Sequence, residues 1–301
     1  MKIDDIKRIL VLGSGTMGHQ IGFLCALHGY DVVIYDINKD VLEKAKGKIH
    51  KLADRFVKKK RLQIDQKEKV IQMISFSDNK KKAALDVDLI TESVPEDPKL
   101  KAKIFNEFNA LCPERTIFTT NTSTLIPSMI ADATGRPEKF LALHFHDVYL
   151  SNVVDVMPHP GTSKETIEIV KGFAEKMDQV VITLKKENFG YVFNSMLSDL
   201  FKSALTLASN QVATVEDIDR SWMGVMSTPS GPFGLMDAIG LDTIWKIMDY
   251  WASVSKKEQH KRNAAFVKQY VDSGKLGTKT GEGFYHYPDP LFRKSDFIRG
   301  K

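Results

Sequence analysis

One short stretch near the N-terminus constrains the fold more than any other part of the chain. Four apolar residues, Ile9 to Leu12, are followed directly by Gly13-Ser14-Gly15-Thr16-Met17-Gly18, which has the pattern G-x-G-x-x-G. An uninterrupted apolar run of this length is typical of a parallel strand that is buried on both faces. Because an apolar helical run begins at Thr16 and continues to Leu27, the sequence predicts a strand, a tight glycine turn and a helix.

The three glycines of this turn predict a site for the two phosphates of a dinucleotide. Gly13 permits the tight turn, Gly15 leaves room for a pyrophosphate beside the backbone, and Gly18 lets the helix pack closely against the strand. The start of the helix, at Thr16 and Met17, offers free N–H groups and the positive end of the helix dipole. The simpler alternative is an ordinary strand-to-helix turn in an α/β protein.

The second predicted strand, Asp31 to Tyr35, is followed by an aspartate that indicates which dinucleotide is bound. Asp36 comes 18 residues after Gly18, close to the spacing at which an acidic residue contacts the adenosine ribose hydroxyls. A carboxylate accepts hydrogen bonds from those hydroxyls and repels a 2′-phosphate. The sequence therefore predicts NAD rather than NADP, although an aspartate at the end of a strand can also be purely structural.

The positive charge of the chain is concentrated in one segment. The net charge is +5, but residues 39–69 alone contain 12 Lys and Arg against 5 Asp and Glu. The apolar periodicity predicts a helix–turn–helix insertion here, with a break near residues 61–65, and its cations indicate either an anionic ligand or a solvated basic face. A protein that binds nucleic acid would carry a wider basic surface and aromatic residues for base stacking, so we expect no nucleic-acid partner.

Other features of the sequence bear on the location of the protein. No apolar run approaches the roughly 20 residues of a membrane-spanning helix, and the first residues lack the apolar core of a signal peptide. Cys25 and Cys112 are far apart and have neither metal nor redox spacing, which favours buried, reduced thiols. We expect a cytoplasmic protein without a membrane partner.

The pattern of strands stops well before the end of the chain. Further strands are predicted at 73–76, 87–91, 116–119, 140–145, 153–157 and 180–184, the last two of undetermined direction. Only helical periodicity follows the polar segment 185–190. The sequence thus predicts an α/β Rossmann-type domain with a mostly parallel sheet and the helix–turn–helix insertion over residues 1–186, and an all-α domain over residues 187–301. Excess apolar residues, notably Trp245, Met248 and Trp251, indicate a homodimer through the C-terminal domain.

Oxidation of an alcohol by NAD removes a hydride from carbon and a proton from oxygen, so the protein must supply a base. His144 ends an apolar strand at the ligand-binding edge of the predicted sheet, and an imidazole has a suitable pKa. A carboxylate on its other ring nitrogen would fix the tautomer, and Asp147 and Asp155 are the acids nearby. His146, on the same face of the strand, is a competing candidate. The alternative is a buried structural histidine. No two histidines have the spacing of a metal site, and none is predicted.

Several motifs together resemble the L-3-hydroxyacyl-CoA dehydrogenase family, and the match runs essentially from end to end. The matching segments are the glycine loop, Glu96 followed by Lys101, Asn121-Thr122-Ser123, His144-Phe145, Asn194, residues 228–242 and residues 275–287. The resemblance implies a Rossmann-type N-terminal domain, a helical C-terminal domain that dimerises, and oxidation of a 3-hydroxyacyl thioester to the 3-oxoacyl form by NAD.

The resemblance also assigns roles to individual residues. It makes His144 the catalytic base and puts Asp155 at the position of the acid that orients it. Ser123 and Asn194 correspond to residues that hydrogen-bond the substrate oxygens. The remaining assignments are Glu96 and Lys101 near the nicotinamide ribose, Asn121 in the cofactor site, and Lys58, Lys60 and Arg61 in an arm that contacts the CoA phosphates.

The chain departs from the family pattern beside the reacting centre. Typical members read H-F-F-N-P where this chain has His144-Phe145-His146-Asp147-Val148, and the segment that follows is one residue shorter. Asp155 replaces a glutamate, and Ser195 replaces an arginine. These departures leave open whether the substrate is a short-chain 3-hydroxyacyl-CoA, such as 3-hydroxybutyryl-CoA, or a 3-hydroxy acid without CoA, such as carnitine or a sugar acid. A catalytically silent NAD-binding protein is a third alternative.

Overall fold

The computed structural model describes residues 2–300, which divide into two units between Val192 and Phe193. The division lies six residues after the predicted limit at residue 186. Contacts hold the intervening residues to the first unit: Glu187 accepts a hydrogen bond of 2.7 Å from the backbone N–H of Ser128, and Tyr191 is buried in an apolar cluster of that unit. Such tertiary contacts extend the first unit past the polar segment.

The described part of the first unit contains one sheet of eight strands. They are β1 (Arg8–Leu12), β2 (Asp31–Tyr35), β3 (Ile74–Ser77), β4 (Leu89–Glu92), β5 (Ile117–Thr120), β6 (Phe140–Phe145), β7 (Val153–Pro158) and β8 (Val180–Thr183). Their order across the sheet is β3-β2-β1-β4-β5-β6-β7-β8. β1 to β6 are parallel, β7 is antiparallel to β6, and β8 is parallel to β7. The predicted mostly parallel sheet is confirmed. The structure also gives the directions of β7 and β8, which the sequence left undetermined.

The helices of this unit include the predicted one after the glycine turn and the two of the predicted insertion. They are α1 (Gly18–Leu27), α2 (Lys39–Lys58), α3 (Lys67–Gln72), α4 (Lys80–Ala83), α5 (Pro98–Asn109) and α6 (Lys164–Glu175). α2 and α3 form the predicted insertion. Its apolar face, which includes Ile49, Leu52 and Phe56, belongs to the core on one side of the sheet, so the cations remain on the outer face.

The parallel strands position the site. Leu12 of β1 pairs with Glu92 of β4, which pairs with Thr120 of β5, which pairs with Ala142 of β6. The segments that leave these strands therefore lie along one edge of the sheet, and this carboxyl edge is where α/β proteins bind ligands.

The described part of the second unit contains five α-helices and a following segment, residues 273–290, that is not helical and has two isolated β-bridges. Its helices are α7 (Phe193–Ser209), α8 (Val215–Met226), α9 (Pro232–Ile239), α10 (Leu241–Ser255) and α11 (Glu258–Asp272). Of the three residues predicted at a dimer face, Met248 is buried in the core and Trp245 packs against it, whereas Trp251 is 44% exposed. Across residues 2–300, no helix has the length and apolar character needed to cross a bilayer.

Two fully buried aspartates connect the segments of the second unit. Asp219 of α8 accepts hydrogen bonds from the backbone N–H groups of Phe233 and Gly234 and from the hydroxyl of Tyr285. Asp237 of α9 accepts them from the backbone N–H groups of Phe284 and Tyr285, and from a tyrosine hydroxyl. A buried carboxylate requires such donors, and these fix the start of α9 and the segment after α11.

Candidate active site

The glycine loop has the close backbone geometry that its sequence predicts. Gly13 has φ of +94°, a conformation that favours glycine. A Cβ atom on Gly18 would lie 1.8 Å from the carbonyl oxygen of Gly13, whereas one on Gly15 would meet nothing within 4 Å. Gly18 is therefore required for the close approach of α1 to the turn, and Gly15 faces open space.

That open space is a cavity of about 770 Å³ along the carboxyl edge of the sheet. It is lined by most of the residues that the sequence assigns to the cofactor: Gly13, Gly15, Thr16, Met17, Asp36, Glu96, Lys101 and Asn121. Ser123, predicted to contact the substrate, lines it as well. Residues from five separate segments of the chain thus meet at one site, and all of them belong to the first unit.

Three observations show that this cavity fits a dinucleotide. The Ser93 Oγ atom is buried without a hydrogen-bond partner among the described residues, and Ser93 lines the cavity. Met17 precedes α1 without a side-chain cap, so phosphate oxygens can accept from the first N–H groups of the helix. Asp36 lines the cavity beyond them, and its Oδ2 accepts hydrogen bonds of 2.9 Å from the N–H and Oγ of Ser14.

A buried network of charges forms one wall of the cavity. The Lys101 ammonium is 1% exposed and lies 2.7 Å from Glu92 Oε1 and 3.2 Å from Glu96 Oε2. Thr120 donates to the other oxygen of Glu92, and Thr122 donates to Glu96. Burial raises the pKa of Glu92, and the ammonium opposes this shift. The network fixes the orientation of Glu96 and Lys101.

At the end of β6, two imidazoles share one carboxylate. His144 and Asp155 are direct neighbours across the antiparallel β6–β7 pair, so their side chains lie on the same face. Asp155 Oδ2 lies 3.1 Å from His144 Nδ1 and 3.3 Å from His146 Nε2. The predicted orienting acid is therefore Asp155, and Asp147, the other candidate, faces away: its Oδ1 accepts from the N–H groups of the following turn.

The environment sets the protonation states of this group. Burial lowers the pKa of His144 below its ordinary value, and the hydrogen bond with Asp155 opposes the shift. Burial would raise the pKa of Asp155, but its hydrogen bonds with the two histidines outweigh that effect and hold its pKa at about 2. At neutral pH the carboxylate is ionised and the His144 ring is neutral. Its proton is on Nδ1, facing the carboxylate, and Nε2 keeps a lone pair.

Two further side chains fix the position of His144. The ring of Tyr191 lies 5.0 Å from the imidazole, centroid to centroid. Asn121 accepts a hydrogen bond of 2.7 Å from the backbone N–H of Phe145 through its Oδ1. Because Asn121 also lines the cavity, it joins the histidine strand directly to the cofactor site.

The segment after His146 is held by hydrogen bonds to α1 and to Arg61, which follows α2 in the basic insertion. Gln20 of α1 accepts a hydrogen bond of 3.0 Å from the N–H of Val148 and donates one of 3.3 Å to Asp147. Arg61 donates to the carbonyl oxygens of Val148 and Tyr149 and stacks on the ring of Phe56. Arg61 therefore holds this segment in place. This structural role differs from the contact with CoA phosphate that the resemblance implies.

The structure does not gather the three predicted phosphate contacts at the cofactor cavity. Lys60 and Arg61 line a second cavity of about 760 Å³, together with His28 and residues of the segments 150–152 and 177–179. Lys58 is exposed at the end of α2. Asn194 lies in the first turn of α7, in the second unit.

Sequence reasoning overlooked several residues of the site. Glu92 ends a strand beside Lys101, and its position at a carboxyl edge was a usable signal. Thr120 and Gln20 had no signal, because their contacts depend on tertiary structure. Thr122 stood in the matching segment Asn121-Thr122-Ser123, but it had no role assigned. His146 was considered only as a rival base, whereas the structure brings it to the same carboxylate as His144.

Comparisons with known proteins cover both units. The family model described as 3-hydroxyacyl-CoA dehydrogenase, NAD binding domain, matches residues 8–187, and the corresponding C-terminal domain model matches residues 190–287.

Individual relatives align over nearly the whole chain. The mitochondrial hydroxyacyl-coenzyme A dehydrogenase of Rattus norvegicus is 33% identical over 94% of this chain and 91% of its own length. A probable 3-hydroxybutyryl-CoA dehydrogenase of Bacillus subtilis is 32% identical over 95% and 99%. A solved diketoreductase, described as acting on dicarbonyl compounds, is 41% identical with a TM-score of 0.86, over 94% of this chain and 99% of that one.

Proposed function

The chain belongs to the 3-hydroxyacyl-CoA dehydrogenase family, and on that premise we propose that it interconverts a short-chain 3-hydroxyacyl-CoA, of the 3-hydroxybutyryl type, and the corresponding 3-oxoacyl-CoA. Its class is NAD-dependent oxidoreductase. The observation that carries the proposal is the buried pair of His144 and Asp155, one strand away from a cavity that fits the cofactor. Similarity to a relative named as a probable 3-hydroxybutyryl-CoA dehydrogenase supports the short acyl chain.

His144 is the general base in the oxidative direction. Its Nδ1 faces Asp155, so Nε2 is the ring atom that accepts the proton of the substrate hydroxyl. Bound NAD supplies the nicotinamide carbon that takes the hydride from the substrate. Because burial lowers the pKa of His144, the ring is unprotonated and ready to accept a proton at neutral pH.

Asp155 stabilises the charge that this proton transfer creates. Once Nε2 is protonated, the imidazolium lies 3.1 Å from an ionised carboxylate, and the low dielectric of a buried site strengthens their attraction. The same contact holds the ring in one orientation and one tautomer. In the reductive direction, the imidazolium returns the proton to the substrate oxygen.

The other predicted residues complete the proposal. Ser123 and Asn194 hydrogen-bond the hydroxyl and thioester oxygens, and the exposed cations Lys58 and Lys60 contact the CoA phosphates. The glycine loop and Asp36 bind the pyrophosphate and adenosine ribose of NAD, and Glu96, Lys101 and Asn121 bind near its nicotinamide ribose.

A second candidate function is the reduction of a dicarbonyl compound that carries no CoA. The 41% identity with a diketoreductase favours it, and so does the contact of Arg61 with the backbone of the segment 148–149, which removes one of three proposed phosphate contacts. The base, the carboxylate and the cofactor site would act in the same way for either substrate.

The two candidate functions differ in whether Lys58 and Lys60 contribute to substrate binding, because only the first substrate carries CoA phosphates. We would measure NADH oxidation with acetoacetyl-CoA and with a 1,3-diketone, in the wild type and in the double variant Lys58→Ala, Lys60→Ala. Contact with phosphate predicts that KM for acetoacetyl-CoA rises roughly 2- to 5-fold per cation, as expected for exposed ion pairs, and that the effect weakens with added salt.

The matched control is Lys51→Ala, which removes another exposed cation of α2. The 1,3-diketone should show no change in KM in any of these variants. If acetoacetyl-CoA is not reduced at all while the 1,3-diketone is, the CoA proposal fails and the second candidate replaces it.

We also propose a homodimer formed through the second unit. On α10, four apolar residues at helical spacing are exposed: Ile247, Tyr250, Trp251 and Val254. A single exposed apolar residue is ordinary, but a stripe along one helix is typical of an interface. Sedimentation equilibrium of Trp251→Glu against the wild type would test it, since a buried charge in the stripe should shift the mass toward the monomer. The cytoplasmic location stays a prediction.

A further inference from the structure

The group formed by His144, His146 and Asp155 has the composition and spacing of a metal site. One nitrogen from each ring and one carboxylate oxygen all lie within 4.8 Å of one another. The oxygen is 3.1 Å from one nitrogen and 3.3 Å from the other. In a tetrahedral zinc site, with bonds of about 2.0–2.2 Å, neighbouring ligand atoms lie at nearly these separations.

We propose that His144, His146 and Asp155 form a binding site for a divalent transition-metal ion of the zinc class. Two imidazoles and one carboxylate are ligands that suit Zn²⁺ and Co²⁺, whereas Mg²⁺ and Ca²⁺ require more oxygen ligands. Three protein ligands leave the fourth position for water.

The surroundings of the group favour a cation. Asp155 is 1% exposed and His144 is 5% exposed, so the carboxylate is poorly solvated and gains from a positive partner. Its hydrogen-bond partners here are imidazoles, whose ring nitrogens are common metal ligands. The other buried carboxylate of the site, Glu92, is bonded to the Lys101 ammonium instead, and a metal ion would have to displace that charge.

The third ligand is a particular feature of this chain. Phenylalanine is usual in the family at the position of His146, and phenylalanine has no ligand atom. Two ligands, a histidine and a carboxylate, bind a metal ion weakly. His146 supplies the third ligand that a zinc site with one bound water requires. The site is therefore not implied by membership of the family.

A metal ion at this place would stop the reaction, and this consequence rests on the proposed role of His144 as the base. The ion occupies the lone pair of Nδ1, so the ring proton can only be on Nε2. Nε2 is the atom that must be unprotonated to accept the proton of the substrate hydroxyl. Binding therefore moves the ring proton from Nδ1 to Nε2 without net release from the ring, inhibits the reaction reversibly, and is undone by a chelator.

Cobalt tests binding without reference to catalysis. Untagged, metal-free protein would be titrated with Co²⁺, whose visible absorption is intense when its coordination is tetrahedral. We expect one tetrahedral Co²⁺ per chain, displaced by one Zn²⁺. The variant His146→Phe restores the residue usual in the family and should weaken Co²⁺ binding more than about 100-fold, because loss of a mere outer partner of a metal ligand already costs 10–100-fold.

Two further variants make the test specific. His146→Gln keeps a polar side chain but loses the imidazole, and it should weaken binding as much as His146→Phe. His50→Ala removes an exposed histidine of α2 and should leave the cobalt spectrum unchanged. Binding that is absent, that is octahedral, or that survives in both His146 variants overturns the proposal.

Activity measurements then separate this proposal from the proposed function. Zn²⁺ should inhibit the wild type at the concentration at which cobalt titrates the site, and a chelator should restore turnover. Stoichiometric metal binding that depends on His146 but leaves turnover unchanged would support the metal site and contradict the assignment of His144 as the base. Inhibition without binding at this site would overturn the metal site alone.

Discussion

Two buried aspartates, one in each unit, have similar exposure and opposite acidity. Asp155 is 1% exposed and has a pKa of about 2, whereas Asp219 is fully buried and burial raises its pKa to about 6. Both accept several hydrogen bonds, so the number of bonds does not explain the difference. Their surroundings do: Asp155 contacts two imidazoles that can carry positive charge, whereas Asp219 contacts only neutral donors, two backbone N–H groups and a tyrosine hydroxyl. The negative charge of Asp237 raises the pKa of Asp219 further.

The difference indicates what each carboxylate does. Neutral donors satisfy Asp219 and connect α8 to the start of α9, which stabilises one arrangement of the second unit. The partners of Asp155 are imidazoles, whose charge changes with protonation. The electrostatic attraction between this carboxylate and its partners therefore changes during a proton transfer. A carboxylate that takes part in chemistry is thus distinguished from a structural one by the kind of donor it contacts.

The largest expected effect is that of removing the imidazole. His144→Ala should lower kcat by about 10²- to 10⁴-fold, the usual contribution of general acid–base catalysis. The cofactor cavity does not depend on this ring, so the Kd of NADH, measured by protein fluorescence, should stay the same. If the variant turned over as fast as the wild type, His144 would not be the base. Asp155 would then have a structural role only, as Asp219 has.

Asp155→Asn should have a smaller effect on rate and a clear effect on pH dependence. We expect kcat to fall about 10²-fold, the lower end of the contribution of general acid–base catalysis, because the base remains and loses only its orienting charge. The loss of a negative neighbour destabilises the imidazolium, so the pKa of His144 falls further. The acid limb of the oxidation rate against pH should therefore move to lower pH, and a movement to higher pH would contradict the proposed role of Asp155.

Asp219→Asn tests the structural member of the comparison. The pKa of Asp219 is higher in the folded state than its ordinary value of 3.8, so the folded state binds more protons between about pH 4 and 6 and stability falls as pH rises through this window. A shift of this size corresponds to on the order of 3 kcal/mol in the free energy of unfolding. The variant should lose this part of the pH dependence in urea unfolding followed at several pH values.

Two comparisons control the result for Asp219. Asp237, whose pKa burial also raises, keeps its own pH dependence in the variant. Asp249→Asn, at an exposed position of α10, should leave the slope of the wild type intact. Asp155 contributes with the opposite sign, because its pKa is lowered: its contribution is present above about pH 4 and is lost as pH falls toward 2.

The smallest expected effect concerns a neutral hydrogen bond at the edge of the sheet. Gln20→Leu removes the acceptor of the Val148 N–H and should lower the free energy of unfolding by about 1–3 kcal/mol, the cost of an unsatisfied buried group. Because the N–H and the amide oxygen are neutral and the second bond, from Gln20 to Asp147, is long at 3.3 Å, the loss should vary with pH less than that of Asp219→Asn. Gln63→Leu, at an exposed position, provides the control, and a loss that varies with pH as much as that of Asp219→Asn would contradict this prediction.

Much of the fold could be predicted because it is encoded locally. Apolar runs such as Phe140–Phe145 predicted the strands, and glycine spacing predicted the turn after β1. The direction of β7 could not be predicted, because an alternating pattern is the same when read either way. Its antiparallel pairing with β6 is what brings Asp155 to His144.

The candidate site was predictable where chemistry required a residue type and unpredictable where tertiary contacts decided its use. The need for a base pointed to His144, and the resemblance pointed to Glu96 and Lys101. Arg61, however, was assigned to phosphate from the resemblance and from the charge of its segment, whereas in the structure its guanidinium contacts carbonyl oxygens of a neighbouring segment. Charge identifies a cation in the sequence but not the partner that folding brings to it.

The pairing of His144 with Asp155 across two antiparallel strands also bears on how this protein can vary. The ladder of β6 and β7 fixes the distance between the two side chains. In the connection between the strands, His146 contacts the same carboxylate, and Val148 and Tyr149 contact Gln20 and Arg61. Insertions or deletions in residues 150–152, after these contacts, therefore leave the pair intact, provided that the register is kept. Evolution, or a designer, can change this part of the loop without rebuilding the proposed catalytic pair.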